Sequence, residues 1–271
     1  MKFINQSAEI VKQPEGIQGI FDIIAECAAT CYKSTPKTGV SAQEFVNTLT
    51  AKGHTAMLEF GTLYYKIPVD DLKTDDELKQ WFTQWYGSPY IDYDCDGKFI
   101  YGTTNLRYAV ESKMWAPNMN KYVVDKEDLH PERICLRIIT SIGIARELTR
   151  HRRFSFAQES TRFCNYSGKK FDCGLTFITP EKEDWGGCTD AYVDYINILT
   201  DAEHCYMRAI QQGIGPQIAR DVLPLSLKTE ICMCGFKEDW DHFFDLRLKG
   251  TTGTPHPDMK ALAQIIYDKL N

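Results

Sequence analysis

Ile20, Ile23, Ile24, Cys27 and Ala28 recur at the spacing of one helix face, whereas the stretch from Leu58 to Ile67 is aromatic and alternating. Side chains three and four apart share a face of a helix, and those two apart share a face of a strand. A chain that switches between these periods must lay helices against a sheet. Helices are expected over 16–31 and 41–51, the second opened by a capping box of Ser41 with Glu44 three residues on. A strand is expected within 57–68, and another around 106–110. Pro131-Glu132 reads as the start of a long helix with Ile138, Ile142, Ala145 and Leu148 along one face. Beyond it come a strand over 175–178, a long helix over 190–212 ended by Gly213, and a short helix from Pro216 to Pro224 that carries Arg220. A strand over 226–236 and helices over 239–248 and 256–270 complete the pattern. No repeat or linker interrupts it. The chain therefore reads as a single compact α+β domain over 1–271, mainly antiparallel sheet flanked by long helices.

At 271 residues and 43% hydrophobic, the chain can bury a sizeable core. Its apolar runs are short and broken by charges, so no membrane span is expected. Met1-Lys2-Phe3-Ile4-Asn5-Gln6 lacks the apolar stretch of a secretory signal, which makes a cytoplasmic protein the expectation. The ten cysteines show no zinc spacing, since neither Cys232-x-Cys234 nor Cys27-x3-Cys31 has a matching pair. They read as reduced, buried small hydrophobes. Neither the Asp70-Asp71 nor the Asp75-Asp76-Glu77 cluster has calcium-loop spacing, and no metal is expected. His130, His204 and His256 read as surface or helix-end residues. A net charge of -6 argues against a general nucleic-acid binder, which would show a basic face.

Against that acidity, Arg150-His151-Arg152-Arg153-Phe154-Ser155-Phe156-Ala157-Gln158-Glu159-Ser160-Thr161-Arg162 concentrates four arginines and a histidine with hydroxyls and aromatics. Guanidinium groups grip phosphate oxygens through paired hydrogen bonds, and hydroxyls complete such a cradle. Arg146 and Arg150 share a helical face beside Glu147, and cations at a helix C-terminus are favoured by the dipole. Capping explains one or two of these arginines. It does not explain Arg152, Arg153 and Arg162, so a small anionic ligand, a nucleotide, is the better reading.

The Arg-His-Arg-x7-Ser pattern resembles the signature of the flavin-dependent thymidylate synthases. Further blocks follow in the family's order: Cys27-Ala28-x2-Cys31-Tyr32, Gly53-His54 with Leu58-Glu59-Phe60, Arg220-x2-Leu223-Pro224 with Thr229, Trp240-x-His242-Phe243-Phe244-x-Leu246-Arg247, and Ala263-Gln264. The resemblance implies dUMP bound by Glu147, Arg150, Gln158, Glu159, Ser160, Thr161, Arg162, Arg220 and Arg247. Arg150 and Arg162 would lie on the phosphate side, Gln158 and Glu159 would line the pocket, and Arg220 would come from a neighbouring subunit. It implies FAD held by His54, Ala56, Arg150, His151, Arg152, Gln158 and His242. Arg247 would be catalytic, stabilising an electron-rich uracil. NADPH and 5,10-methylenetetrahydrofolate would be co-substrates, and the assembly a homotetramer with active sites shared between subunits. No cysteine follows a proline, unlike the nucleophile of the cysteine-dependent synthases.

Several positions depart from the family pattern. Phe60 replaces a histidine, Ala56 a hydroxyl residue, Ala157-Gln158 an Asn-Glu, and Phe236-Lys237-Glu238 an Asn-x-Arg flavin contact. Lys237 is a candidate replacement cation. The stretch 86–128 is longer than compact members need; Asn105 and Arg107 there read as a solvated strand pair, with flavin contact as the alternative. The competing functions are a flavin-dependent uridylate methyltransferase with another carbon donor, and a non-catalytic nucleotide-phosphate binder.

Overall fold

The computed structural model describes residues 1–33, 39–181 and 189–271. The chain opens with β1 (Lys2–Ile4) and β2 (Ser7–Ile10), then α1 (Gly16–Tyr32) and α2 (Ala42–Ala51). A 3-10 turn over Thr55–Phe60 leads to β3 (Thr62–Pro68), α3 (Val69–Thr74), α4 (Asp76–Trp85), β4 (Ile91–Cys95) and β5 (Phe99–Asn105). Next come α5 (Leu106–Glu111), α6 (Pro117–Asn120), β6 (Val123–Val124), β7 (Arg133–Ser141), α7 (Ile142–Leu148), β8 (Ser155–Gln158) and β9 (Thr176–Ile178). The C-terminal part holds α8 (Thr189–Gln211), α9 (Pro216–Ala219), β10 (Lys228–Phe236), α10 (Lys237–Arg247) and α11 (Pro257–Leu270).

The architecture is α+β, as the hydrophobic periods require. A central antiparallel sheet runs β2-β7-β10-β8, a second runs β4-β5-β3-β6, and β1 pairs in parallel with β9. The central sheet is buried on both faces because β7 and β10 alternate cleanly. Cys135, Cys232 and Cys234 pack with α1 and the second sheet, together with Ile20, Ile24, Leu63 and Trp85. Leu136, Ile138, Ile231 and Met233 face the other way, onto Leu148, Trp240, Phe243 and Leu262 of α7, α10 and α11. A third cluster, with Tyr166, Phe177, Leu199 and Tyr206, seats α8 beside β9. No helix among the described residues is long and apolar enough to cross a membrane.

Two elements differ from the expectation. The stretch after Pro131 is not one helix: β7 occupies 133–141 and only 142–148 is helical. Its apolar spacing straddles a strand-to-helix junction at Ser141, whose side chain accepts from Ile144 N and caps α7. A strand buried on both faces reads as a continuous apolar run, which periodicity alone does not separate from a helix. Likewise 106–110 is helical, started by the buried Asn105, whose Oδ1 accepts from Tyr108 N at 2.9 Å.

The nine described cysteines are free, and Cys188 lies outside the described residues. Cys27, Cys135, Cys164, Cys232 and Cys234 are buried, whereas Cys95, Cys173 and Cys205 are exposed, so the buried reading holds only in part. His130 is buried rather than at the surface: Nδ1 accepts from Glu127 N at 2.9 Å and Nε2 lies 3.1 Å from Tyr65 O. Both ring nitrogens are then satisfied by the tautomer with its proton on Nε2.

Candidate functional site

Helix α7 ends in a tight exit that returns the chain into β8. Arg150 N donates to Glu147 O, His151 N to Leu148 O, and Phe154 N to His151 O. This turn brings the start of the arginine segment against the end of α10. There Arg247 Nε donates to His151 Nε2 at 3.0 Å and Arg247 Nη1 to Glu147 Oε2 at 3.0 Å, with Glu147 O 3.5 Å from Nη2. Three residues expected to share one site therefore touch.

The protonation of His151 follows from that geometry. Its ring packs edge-on to Phe243 at 5.1 Å, and Phe154 in turn meets Trp240 edge-to-face at 4.7 Å. Burial lowers its pKa to about 4, and the charges of Arg247 and His242 push the same way. An arginine Nε always carries its proton, so Nε2 of His151 is the acceptor and the imidazole is neutral, protonated on Nδ1. His151 and Glu147 thus fix the plane of a guanidinium that remains partly exposed, at 22%.

At the far end of the segment lies a second cluster. Gln158 Nε2 donates to the buried Thr229 Oγ1 at 3.2 Å. Ser160 N donates to Cys31 O at 3.0 Å, and Ser160 O accepts from Phe163 N and Cys164 N, closing a turn that displays Ser160, Thr161 and Arg162. Arg220 Nη1 lies 3.4 Å from Thr161 Oγ1 of its own chain. Glu159, expected to line the pocket, is instead turned inward with no exposed side-chain surface, accepting from Lys228 Nζ at 2.7 Å and Tyr166 OH at 3.0 Å. The reason is strand parity, since neighbours along β8 and its continuation alternate sides and Gln158 takes the other one. Lys228 and Tyr166 escaped the sequence reading. The only signal is the polar run Lys228-Thr229-Glu230 inside an otherwise apolar strand.

Arg146, Arg150, Arg152 and Arg162 are exposed, and among the described residues none has an ion-pair partner. Arg153 is engaged by Asp239 at 3.2 Å. The exposed guanidiniums of Arg146, Arg150 and Arg152 lie close in sequence to the neutral His151, and that donor set suits a flavin dinucleotide, whose diphosphate needs cations and whose ring needs neutral hydrogen-bonding groups. His54 and Ala56 are exposed on the 3-10 turn that packs beside β8, but no hydrogen bond or ion pair joins them to the arginine segment among the described residues. Lys237 lines a cavity of about 570 Å³ with Tyr64, Arg133 and Trp240, at the opposite end of α10 from Arg247. Another cavity of about 570 Å³ reaches Glu147 from the side of Ser141 and Leu225. Arg107 is committed to Glu59 at 2.6 Å and Glu111 at 2.8 Å, and Asn105 is committed to its cap, so neither is a solvated strand residue.

Residues 132–271, just over half the chain, match the family described as Thymidylate synthase complementing protein. The chain belongs to that family. The matched region contains β7, the arginine segment, β10, α10 and α11, and hence the whole Glu147–His151–Arg247 contact. A probable flavin-dependent thymidylate synthase of Paramecium bursaria Chlorella virus 1 is 25% identical over 176 residues, covering 60% of this chain and 74% of that protein. The flavin-dependent thymidylate synthase of Synechocystis is 26% identical over 140 residues, 49% of this chain and 65% of the relative. That of Pyrococcus horikoshii is 32% identical over 116 residues, 42% of this chain and 43% of the relative. The family member also aligns with a UMP/dUMP methylase, PolB of Streptomyces cacaoi, at a TM-score of 0.48 and 14% identity, over 100% of this chain and 92% of that one.

Proposed function

We propose that this chain reductively methylates dUMP to dTMP, with FAD as cofactor, 5,10-methylenetetrahydrofolate as carbon donor and NADPH as reductant. The observation that carries this reading is the guanidinium of Arg247, held between Glu147 and a neutral His151 at the head of an arginine-rich loop. Bound reduced FAD would supply hydride. The protein's own residues do the rest. Arg150, Arg162 and the hydroxyls of Ser160 and Thr161 take the nucleotide phosphate, with Gln158 below them. Arg220 completes the phosphate end, from the same chain or across the interface of a homotetramer. Arg247 faces the uracil and stabilises negative charge on the ring, raising electron density at C5 where the carbon is added. His151 remains neutral at working pH, so it orients Arg247 without competing for that charge. His54, Ala56, Arg150, His151, Arg152, Gln158 and His242 would hold the flavin; Ala56 would do so through its backbone.

An absorbance scan of the purified protein, followed by titration with dUMP, tests the reading. Flavin bands that shift on dUMP addition are expected, with dTMP formed only when methylenetetrahydrofolate is supplied. Flavin and dUMP binding without folate dependence would replace the carbon donor. A colourless protein that FAD does not reconstitute would overturn the enzyme reading in favour of a phosphate-binding protein.

A further inference from the structure

We propose that Lys228 is a positioning residue for the phosphate end of the site, acting by neutralising the carboxylate of Glu159 buried beneath the Ser160 turn. The proposal rests on the nucleotide reading above. Glu159 is joined through one peptide bond to Ser160, its side chain is wholly enclosed, and Lys228 Nζ approaches it at 2.7 Å. Its own N–H donates to Glu230 O at 2.8 Å, so the carboxylate is fixed to β10 from both backbone and side chain.

The surrounding charges are balanced. Lys33, at the end of α1, lies 4.0 Å from Glu159 and is also paired with Glu230. Arg137 lies 3.5 Å from Glu230 and 2.7 Å from Glu26. Three carboxylates, Glu159, Glu230 and Glu26, thus meet three cations, Lys228, Lys33 and Arg137. Among the described residues these six charges balance, and the guanidiniums of the loop then add positive charge at the surface above them. Removing Lys228 would leave one uncompensated carboxylate in a low-dielectric layer directly under a site meant for a phosphate dianion. Buried charges of that kind act over longer range than exposed ones. Tyr166 OH, at 3.0 Å, adds a hydrogen bond to Glu159 without adding charge.

This predicts a phosphate-specific effect. Calorimetric titration with dUMP and with deoxyuridine, which lacks the phosphate, would be compared across the wild type, Lys228→Met, and Lys228→Met with Glu159→Gln. Lys228→Met should weaken dUMP by about tenfold or more and deoxyuridine by less than about threefold. The double variant should bring dUMP back to within about threefold of the wild type, because removing both charges removes the imbalance. Equal weakening of both ligands, or no recovery in the double variant, would overturn the proposal. Should Lys228→Met not fold, Lys228→Gln carries the same comparison, since it removes the charge and keeps a donor. Amide exchange at Phe163 and Cys164, which donate to Ser160 O, reads the turn without any ligand: it should quicken in the Lys228 variant and recover in the double. A wild-type protein that binds no dUMP would sink the nucleotide reading while leaving the exchange pattern to decide whether Lys228 holds the loop. Unchanged exchange in the Lys228 variant would sink the positioning role itself.

Discussion

Replacing Arg247 with alanine separates three quantities that the geometry ties together. The ion pair with Glu147 joins side chains that are 22% and 34% exposed, so solvent screens it and its loss should destabilise the fold by less than about 1 kcal/mol. In a chain of this size that is a shift of a few degrees in Tm, roughly 2–4 °C per kcal/mol. Turnover should fall far more, by about a hundred- to a thousandfold, the usual effect of removing a donor aimed at developing charge. His151 reports the third quantity. Its pKa, about 4, is held down first by burial and then by Arg247, so the variant's imidazole should titrate nearer its ordinary value while Phe243 and Phe154 still enclose it. Thermal melting, dTMP formation under saturating flavin and folate, and an NMR titration of the histidine ring read the three in turn. Full dTMP formation by the variant would refute the catalytic role. An unmoved His151 midpoint would refute the contact itself.

Ser160→Ala should weaken dUMP binding by about tenfold while leaving Tm nearly unchanged, because the turn is held by the backbone of Ser160 rather than its hydroxyl; unaltered dUMP affinity would remove Ser160 from the site. Gly235→Ala should destabilise the protein by about 1–3 kcal/mol, since a Cβ there would lie 2.5 Å from Phe154 Cδ1, and thermal melts with and without Phe154→Leu should show partial recovery. Stability should fall as pH drops below about 6.5, the ordinary histidine value. Burial lowers the pKa of His130, so the unfolded chain takes up a proton that the folded chain refuses; the loss runs down to the folded value and is absent at higher pH. Urea midpoints at pH 7.5 and 5 should differ less in His130→Gln, with the remaining slope reflecting His151; an identical slope in that variant would exclude His130 as a source.

Much of the fold was legible because local signals agreed with tertiary context. The face formed by Ile20, Ile24 and Cys27 packs as helix α1, Ser41 and Glu44 form the capping box, and Gly213 ends α8 at a positive φ. What misled was context that only the assembled sheet supplies. Residues 133–141 read as helix because Ile138 of β7 falls in helical register with Ile142, Ala145 and Leu148 beyond it, while β7 itself, flanked by β2 and β10, buries apolar side chains on both faces. The site shows the same division. Arginines announce themselves by clustering, and Glu147, His151 and Arg247 converge as expected. The inward turn of Glu159 depends on which side of β8 is buried, and its partner Lys228 arrives from a strand 69 residues further along the chain. His130 looked like a surface residue because its partners, Tyr65 O and Glu127 N, are backbone groups that no side-chain pattern encodes.

The order β2-β7-β10-β8 also dictates how the chain must be born. Its first strand lies at residues 7–10 and its third at 228–236, so β2 can pair with β7 early, whereas the β7–β10 ladder waits until β10 has been made. Closing a loop of that length is slow, although lengthening it further adds little entropy. During that interval Cys135, Leu136 and Ile138 of β7 lack β10 on one side, an open apolar edge that favours association with other nascent chains. The soluble yield of this protein should therefore depend on translation speed more steeply than its final stability would imply.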